Sequence, residues 1–375
     1  MVNKSDVLIV GGGLAGLTSA IHLSKSGLAV TLIEKNTFPK HKVCGEYVSN
    51  EVLPYFESLG LNVRELESVN ITRTSLSTIS GKQIFGKLPL GGFGVSRYAL
   101  DKFLYDKAMA NGCRMIHDTA VNISFDGNSF TLETATDIFS AEIVIGAYGK
   151  RSNLDQALSR DFIQKKSHWL AVKAHYSGDF PNDLVSLHNF KGGYCGVSKV
   201  ENNTINICYL ADYKTFKKYK GITEYQHNVL CRNPVLKSIF TDCQPLFDKP
   251  ITISQISFAK KKPVENHILM AGDTAGLIHP LCGNGMAMAI HSAKIASELI
   301  SDYFSKNISR QLLEKHYATA WNRNFRKRML MGRLLAGILR KEKLSGLVMA
   351  GLSRFPFLFS AITKSTHGQP ITVNQ

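Results

Sequence analysis

The sequence predicts an α/β fold in which a parallel, dinucleotide-binding half is interleaved with an antiparallel β-sheet half and followed by an α-helical tail. Three observations predict it: a strand, glycine turn, helix and second strand at the N-terminus, two later strands that break into glycine-rich turns near residues 150 and 270, and period-two stretches between about 165 and 262. The 375 residues, 44% hydrophobic and 20% charged with 11 Pro, have the composition of a globular chain with two or three cores and exclude a disordered or collagen-like one.

The first element is the run Val7-Leu8-Ile9-Val10, followed by GGGLAG, a helical LTSAIHLSKSG and the strand AVTLIEK. Gly11, Gly13 and Gly16 fit G-x-G-x-x-G: the first permits the turn, the second lets backbone approach a pyrophosphate, and the third allows close helix-to-strand packing. Ala15 lies inside this turn. The helix N-terminus presents N–H groups and partial positive charge to phosphate. Glu34, about 20 residues on and followed by Lys35, is placed to accept from ribose hydroxyls. This Rossmann-like fingerprint does not distinguish NAD from FAD.

The second element is Ala141 to Ser152, a buried-strand core that breaks at Gly146 and Gly149. The third is His267-Ile268-Leu269-Met270-Ala271, then Gly272-Asp273, then Pro280 and Gly283-Asn284-Gly285-Met286 opening a helix. Asp273 is placed to accept from a ribityl hydroxyl, and N–H groups near Gly285 and Met286 to face an electron-rich flavin edge. In this order the three blocks resemble the FAD-dependent oxidoreductases that include the aromatic-ring hydroxylases (group A flavin monooxygenases) and the geranylgeranyl reductases. The resemblance covers most of residues 5 to 300. Phe38 to Glu46 and Val95 to Asp101 look like further signatures of that superfamily; by resemblance Cys44 and Gly45 lie beside the flavin, and Arg97 reaches the cofactor phosphates or ribityl chain. Gly276 and the Cys44-Gly45 pair look more like the reductase branch.

The departures carry information too. Tyr148 stands where the hydroxylases carry Asp, and Lys40 where many relatives carry Arg. The only tryptophans, Trp169 and Trp321, do not form the paired motif of the flavin halogenases. No second G-x-G-x-x-G follows a strand, so NADPH or NADH is expected only as a transient reductant.

Residues 71–95 and 161–262 are assigned to the substrate-binding sheet, and 1–70, 96–160 and 263–305 to the FAD-binding domain. Trp169 to Tyr176, Gly193 to Val200 and Thr204 to Leu210 read as strands, the last two joined at Glu201-Asn202-Asn203. Tyr194 and Cys195 are expected to line the substrate pocket. Glu46 is expected to steer a substrate hydroxyl or to be an exposed acid at a helix start. Cys44 and His279 are the catalytic candidates: a thiol able to donate a proton, whose alternative is a small buried hydrophobe, and a proton shuttle whose alternative is a turn histidine bonded to backbone. The seven cysteines form no CxxC pair or His/Cys ligand cluster, so no metal site is expected, and they read as reduced thiols.

The net charge is +16, from 45 Lys and Arg against 29 Asp and Glu. Residues 310–364 hold 12 Lys and Arg against Glu314 and Glu342, a net of +10. Residues 306–375 therefore read as a basic amphipathic helical region, with Arg326, Arg333 and Arg340 on one face and Leu330, Leu334, Leu335, Ile338 and Leu339 on the other, and a second apolar stretch from Leu347 to Ile362. Such a segment either packs on its own domain or docks on an anionic membrane surface. No recognition module accompanies the charge, so nucleic acid is not expected as a partner. With no apolar run of spanning length and no secretory signal, the reading is a cytoplasmic protein, peripheral at the inner face of the membrane in the case where the tail docks there. The resemblance implies hydroxylation of a hydrophobic aromatic or polyketide-like substrate through a flavin hydroperoxide, with double-bond reduction of an isoprenoid or quinone close behind and a non-catalytic FAD-binding accessory protein as a further alternative.

Overall fold

The computed structural model describes residues 3–339, 348, 351–352, 354 and 356–373. Arg340, Lys341, Lys343, Leu347 and Phe355 of the expected tail lie outside them. Two sheets organise the chain. The first has eight strands: β1 (Asn3–Val10), β2 (Val30–Ile33), β6 (Arg114–Ile116), β7 (Ala120–Phe125), β8 (Phe130–Thr134), β9 (Ile138–Gly146), β16 (Val264–Glu265) and β17 (Ile268–Met270). Its centre, in the order β17-β9-β1-β2-β6, is parallel. Val7, Leu8 and Ile9 are fully buried, as a strand covered on both faces requires.

The second sheet has nine strands: β3 (Tyr47–Ser49), β4 (Val69–Ser77), β5 (Gln83–Gly94), β10 (Trp169–Ser177), β11 (Leu184–Phe190), β12 (Gly193–Val200), β13 (Thr204–Asp212), β14 (Gln244–Pro245) and β15 (Ile251–Ser254). The order β10-β13-β12-β11-β4-β5-β3 is antiparallel except for β11 against β4. Asn202 and Asn203, at φ of 56° and 55°, make the tight turn between β12 and β13, the conformation a two-residue hairpin needs. One face of β10, β12 and β13 is closed by short helices between 213 and 242, around Tyr209, Tyr225 and Leu236. The other face looks toward the first sheet.

Five helices matter for the site. α1 (Leu14–Lys25) follows the glycine turn, and α2 (Arg97–Ala110) is capped by Ser96 Oγ accepting from Ala99 N at 3.0 Å. α3 (Gly285–Lys306) opens from the third glycine block. α4 (Arg310–Leu339) buries Leu313, Tyr317, Trp321, Phe325 and Met329, one residue in every four, against the first core. Tyr317 OH donates to Met270 O at 2.6 Å. α5 (Pro356–Thr366) leads the chain back to the body.

The tail differs from the expected amphipathic pattern. Leu330 and Leu334 are 52% and 54% exposed and share the solvent face with Arg326 and Arg333. At about 100° per residue, Leu330 lies only about 40° from Arg326, so the two could not have opposed each other. The apolar face is the row from Leu313 to Met329, and it is spent on the body. No helix among the described residues is long and apolar enough to cross a membrane.

Candidate functional site

The site begins at the glycine turn. Gly11 has φ +107°, and a Cβ there would fall 2.4 Å from Ala147 O; a Cβ on Gly16 would fall 1.9 Å from Gly11 O. These two positions close the turn against β9 and α1. Gly13 differs: a Cβ there would meet nothing nearer than the Arg97 guanidinium at 3.9 Å, so its backbone borders open space. Ala15 packs instead against Gly272, whose added Cβ would lie 3.2 Å from it.

Around that space the charges are fixed by a buried carboxylate. Asp101, fully buried, binds Arg97 Nε and Nη2 at 2.7 and 2.9 Å and Lys42 Nζ at 2.8 Å. Burial opposes ionisation of Asp101, but Arg97 and Lys42 hold its carboxyl below the ordinary range. Two cations against one anion leave a net positive charge beside the turn, where Lys42 also donates to Gly12 O at 3.2 Å. Glu34 Oε2 accepts from Gly12 N at 2.7 Å, and its Oε1 from Asn36 N and Nδ2 at 2.9 and 2.6 Å. A carboxylate has about four acceptor positions, so one remains for a ribose hydroxyl. Lys35 and Lys40 are exposed, and Lys40 Nζ donates to Asn36 Oδ1 at 2.6 Å.

The second and third glycine blocks are tied to each other. Gly149 N donates to Thr274 Oγ1 at 2.8 Å, and Gly272 N to Ser292 Oγ at 2.8 Å. Beneath them Arg160, 1% exposed, binds Asp155 at 2.9 Å, Glu265 at 2.8 Å and Thr274 O at 3.1 Å. Lys261 Nζ donates to Asp273 O at 2.8 Å and Lys150 O at 3.0 Å; burial lowers its pKa to about 8. Asp273 and Gly285 are half-buried at the cradle, Met286 is buried in the core, and Gly283 turns against the Tyr47 ring. Open space at Gly13, Gly45 and Gly149, two cations at the turn, Glu34 and the N-terminus of α3 fit FAD.

The loop Val43–Glu46 spans from this cradle to the second sheet. Asn206 Nδ2 donates to Cys44 O at 3.2 Å, and the Arg97 guanidinium lies against the Cys44 thiol. Glu46 departs from both expected roles. It is fully buried at φ +54°, enters β3 rather than a helix, and accepts from Lys173 Nζ at 2.5 Å, Arg97 N at 2.7 Å and His175 Nε2 at 2.7 Å. Burial works against its charge, yet His175 and Lys173 keep its pKa below the ordinary value. With three donors in place it anchors the loop to β10. His41, whose pKa falls to about 4 through burial, then Lys173 and His175, packs edge-on against the His175 ring at 5.1 Å.

Beyond that polar corner the sheet face turns apolar. Tyr194 clusters with Ala171, Leu210, Leu277 and Leu281, and its hydroxyl pKa is raised far up, chiefly by burial and then by the thiols of Cys208, Cys282, Cys195 and Cys44. Cys195 does not line this face: successive strand residues point oppositely, and its thiol is buried in the core behind the sheet. Cys208, beside Lys173 in register, takes its place. His279 Nδ1 accepts from Leu281 N at 3.4 Å, the backbone-bonded alternative, and its ring lies 4.8 Å from Phe258 and 5.7 Å from Tyr194. The C-terminal segment walls the loop that precedes α3: Asn284 Nδ2 donates to Thr366 O at 3.0 Å, Ile371 N to Glu51 O at 2.8 Å, and Arg328 pairs with Glu51 at 3.1 Å.

Sequence reasoning missed Lys42, Asp101, Lys173, His175 and Cys208. Asp101 was findable four residues after Arg97 on a helix, and Lys173 with His175 as polar residues two apart in an otherwise apolar strand.

Known proteins resemble this chain in sequence and fold. The chain is 24% identical to conditioned medium factor receptor 1 of Dictyostelium discoideum, over 85% of this chain and 68% of that one. It is 24% identical to the digeranylgeranylglycerophospholipid reductase of Methanococcus vannielii, over 90% of this chain and 87% of the relative. The fold is that of a flavin-dependent brominase at TM-score 0.80 and 17% identity, covering 97% of this chain and 93% of the other. A family model described as FAD binding domain matches residues 4–320, and the chain belongs to that family of FAD-dependent oxidoreductases.

Proposed function

We propose that the protein reduces a carbon–carbon double bond of a hydrophobic, isoprenoid-like or quinone-like substrate, with NADPH or NADH as transient reductant. What supports this is the buried apolar cluster of Tyr194 with Leu210, Leu277 and Leu281, with Cys208 on the same sheet face by register and the Cys44 thiol against Arg97 beside the cofactor cradle. Bound FAD, once reduced, supplies the hydride. The chain must then exclude water, hold the alkene against the Leu210–Leu277–Leu281 cluster and deliver one proton, for which the Tyr194 hydroxyl and the Cys44 thiol are the candidates. The Tyr194 phenol carries its proton at neutral pH and is therefore able to donate it to a developing carbanion. The reductase relative supports the same class of substrate.

Hydroxylation, set slightly ahead by the sequence, is the second reading. The discriminating experiment is anaerobic turnover of FAD-loaded protein with a polyprenyl alkene or a quinone and a chemical reductant. The expected product is two hydrogens heavier. Oxygen uptake tied to substrate, with oxygen in the product, would sink the reductase reading in favour of hydroxylation. Photoreduced protein that no alkene or quinone reoxidises would leave only the non-catalytic alternative.

A further inference from the structure

α4 has two working sides. Its inner side continues past Met329 to Gly332 and Leu335: a Cβ on Gly332 would fall 2.9 Å from Cys282 Sγ, and Leu335 packs on the apolar cluster that holds Tyr194, Leu277 and Leu281. Its outer side over the same turns carries Arg323, Arg326, Lys327 and Arg333, all exposed, around the exposed side chains of Leu330 and Leu334. The helix has no Asp or Glu after Glu314, which is itself engaged by His267 at 2.9 Å. Arg328 points inward to Glu51 and does not contribute to the outer side.

We propose that this outer side of α4, residues 323–334, docks on an anionic lipid bilayer, with Leu330 and Leu334 entering between headgroups and the four cations bound to them. Charge complementarity decides for lipid: four cations with no acid of the helix beside them attract an anionic leaflet at about 1 kcal/mol each, and two leucines at their centre gain from leaving water. A helix is about 10 Å across, so docking brings the cluster of Tyr194, Leu277 and Leu281 to within about one helix diameter of the headgroups. A substrate that partitions into lipid would then have a short path to Tyr194. This deepens the reading above, on which it rests only for the nature of the substrate.

The test uses the full chain loaded with FAD and cosedimentation with vesicles of phosphatidylcholine containing phosphatidylglycerol, against phosphatidylcholine alone. Binding to the anionic vesicles only, weakened by added salt, is expected. R326Q/R333Q should weaken it about thirtyfold, from two lost attractions of about 1 kcal/mol at tenfold per 1.4 kcal/mol. L330Q/L334Q should weaken it roughly tenfold. Both variants should keep the FAD content and melting temperature of the parent, since neither pair touches the core. Equal binding to both vesicles, binding unchanged by R326Q/R333Q, or a vesicle-free dimer that R326Q/R333Q dissolves would each overturn the proposal. Vesicle binding is read without turnover, so a failure of docking leaves the reductase reading intact, and a failure of alkene reduction leaves docking intact.

Discussion

Asp101→Asn isolates the electrostatics of the candidate phosphate site. The carboxylate is fully buried and is the shared partner of Arg97 and Lys42 at 2.7–2.9 Å. Replacing it with an amide of the same shape leaves two cations close together with no anion between them. Breaking a buried pair from one side costs about 3–5 kcal/mol. With a melting entropy of about 2.1 cal/mol/K per residue, 375 residues give about 0.8 kcal/mol/K, so the FAD-free variant should melt about 4–6 °C below the parent. FAD changes the balance, because the two phosphate charges would stand where the carboxylate charge was lost. The difference between variant and parent should therefore shrink when both are saturated with FAD, and the variant should gain more from FAD than the parent does. Melting curves with and without FAD read both quantities. A difference that is the same with and without FAD would show that Arg97 and Lys42 do not face the phosphates.

Three other outcomes follow from the same geometry. Gly13→Ala should fold and melt like the parent without FAD but bind FAD weakly, because its Cβ enters open space, whereas Gly16→Ala, with a Cβ 1.9 Å from Gly11 O, should fail to accumulate as folded protein; FAD titration and soluble yield separate the two. Glu46→Gln should lower stability by about 3–5 kcal/mol at neutral pH by leaving Lys173 unpaired. It should also flatten the acid limb of the stability profile: a carboxyl held below its ordinary 4.5 stabilises fully above that value and loses the contribution as pH falls through its folded-state pKa, so urea midpoints of the parent should drop more steeply below about pH 4.5 than those of the variant. Tyr194→Phe should lower double-bond reduction by about 10²–10⁴-fold at unchanged FAD content if the phenol supplies the proton, and an unchanged rate would move that role to Cys44.

The parallel half was legible because its signals are local. The Val7–Val10 run, the glycine spacing and Glu34 lie within one βαβ unit, and each residue type has a single geometric reason to be there. The cation site was only half legible: Arg97 was found, but Lys42 and Arg97 meet through Asp101, and nothing in a one-dimensional spacing says that a loop residue and a helix residue share one carboxylate. Glu46 was misjudged for a related reason. Beside Cys44-Gly45 it looked available to substrate, whereas Lys173 and His175, more than 120 residues away, had already claimed it. Cys195 was an error of a different kind, since strand alternation forbids it from sharing a face with Tyr194 and that rule was available from sequence.

The tail was the least legible because the charge excess draws attention to the cations, while the structural information lies in the row of apolar residues spaced four apart. Leu313, Tyr317, Trp321, Phe325 and Met329 are each at most 7% exposed, and at about 1.5–3 kcal/mol for a buried side chain of this size they contribute roughly 8–15 kcal/mol of burial. A whole domain is stable by about 5–15 kcal/mol. Removing α4 would therefore unfold the body that it closes, and vesicle binding lost on such a truncation would report that unfolding. The charge can be tested only on the outer side of an intact helix, where Arg326, Leu330, Arg333 and Leu334 are replaceable while Trp321 and Phe325 keep the helix in place.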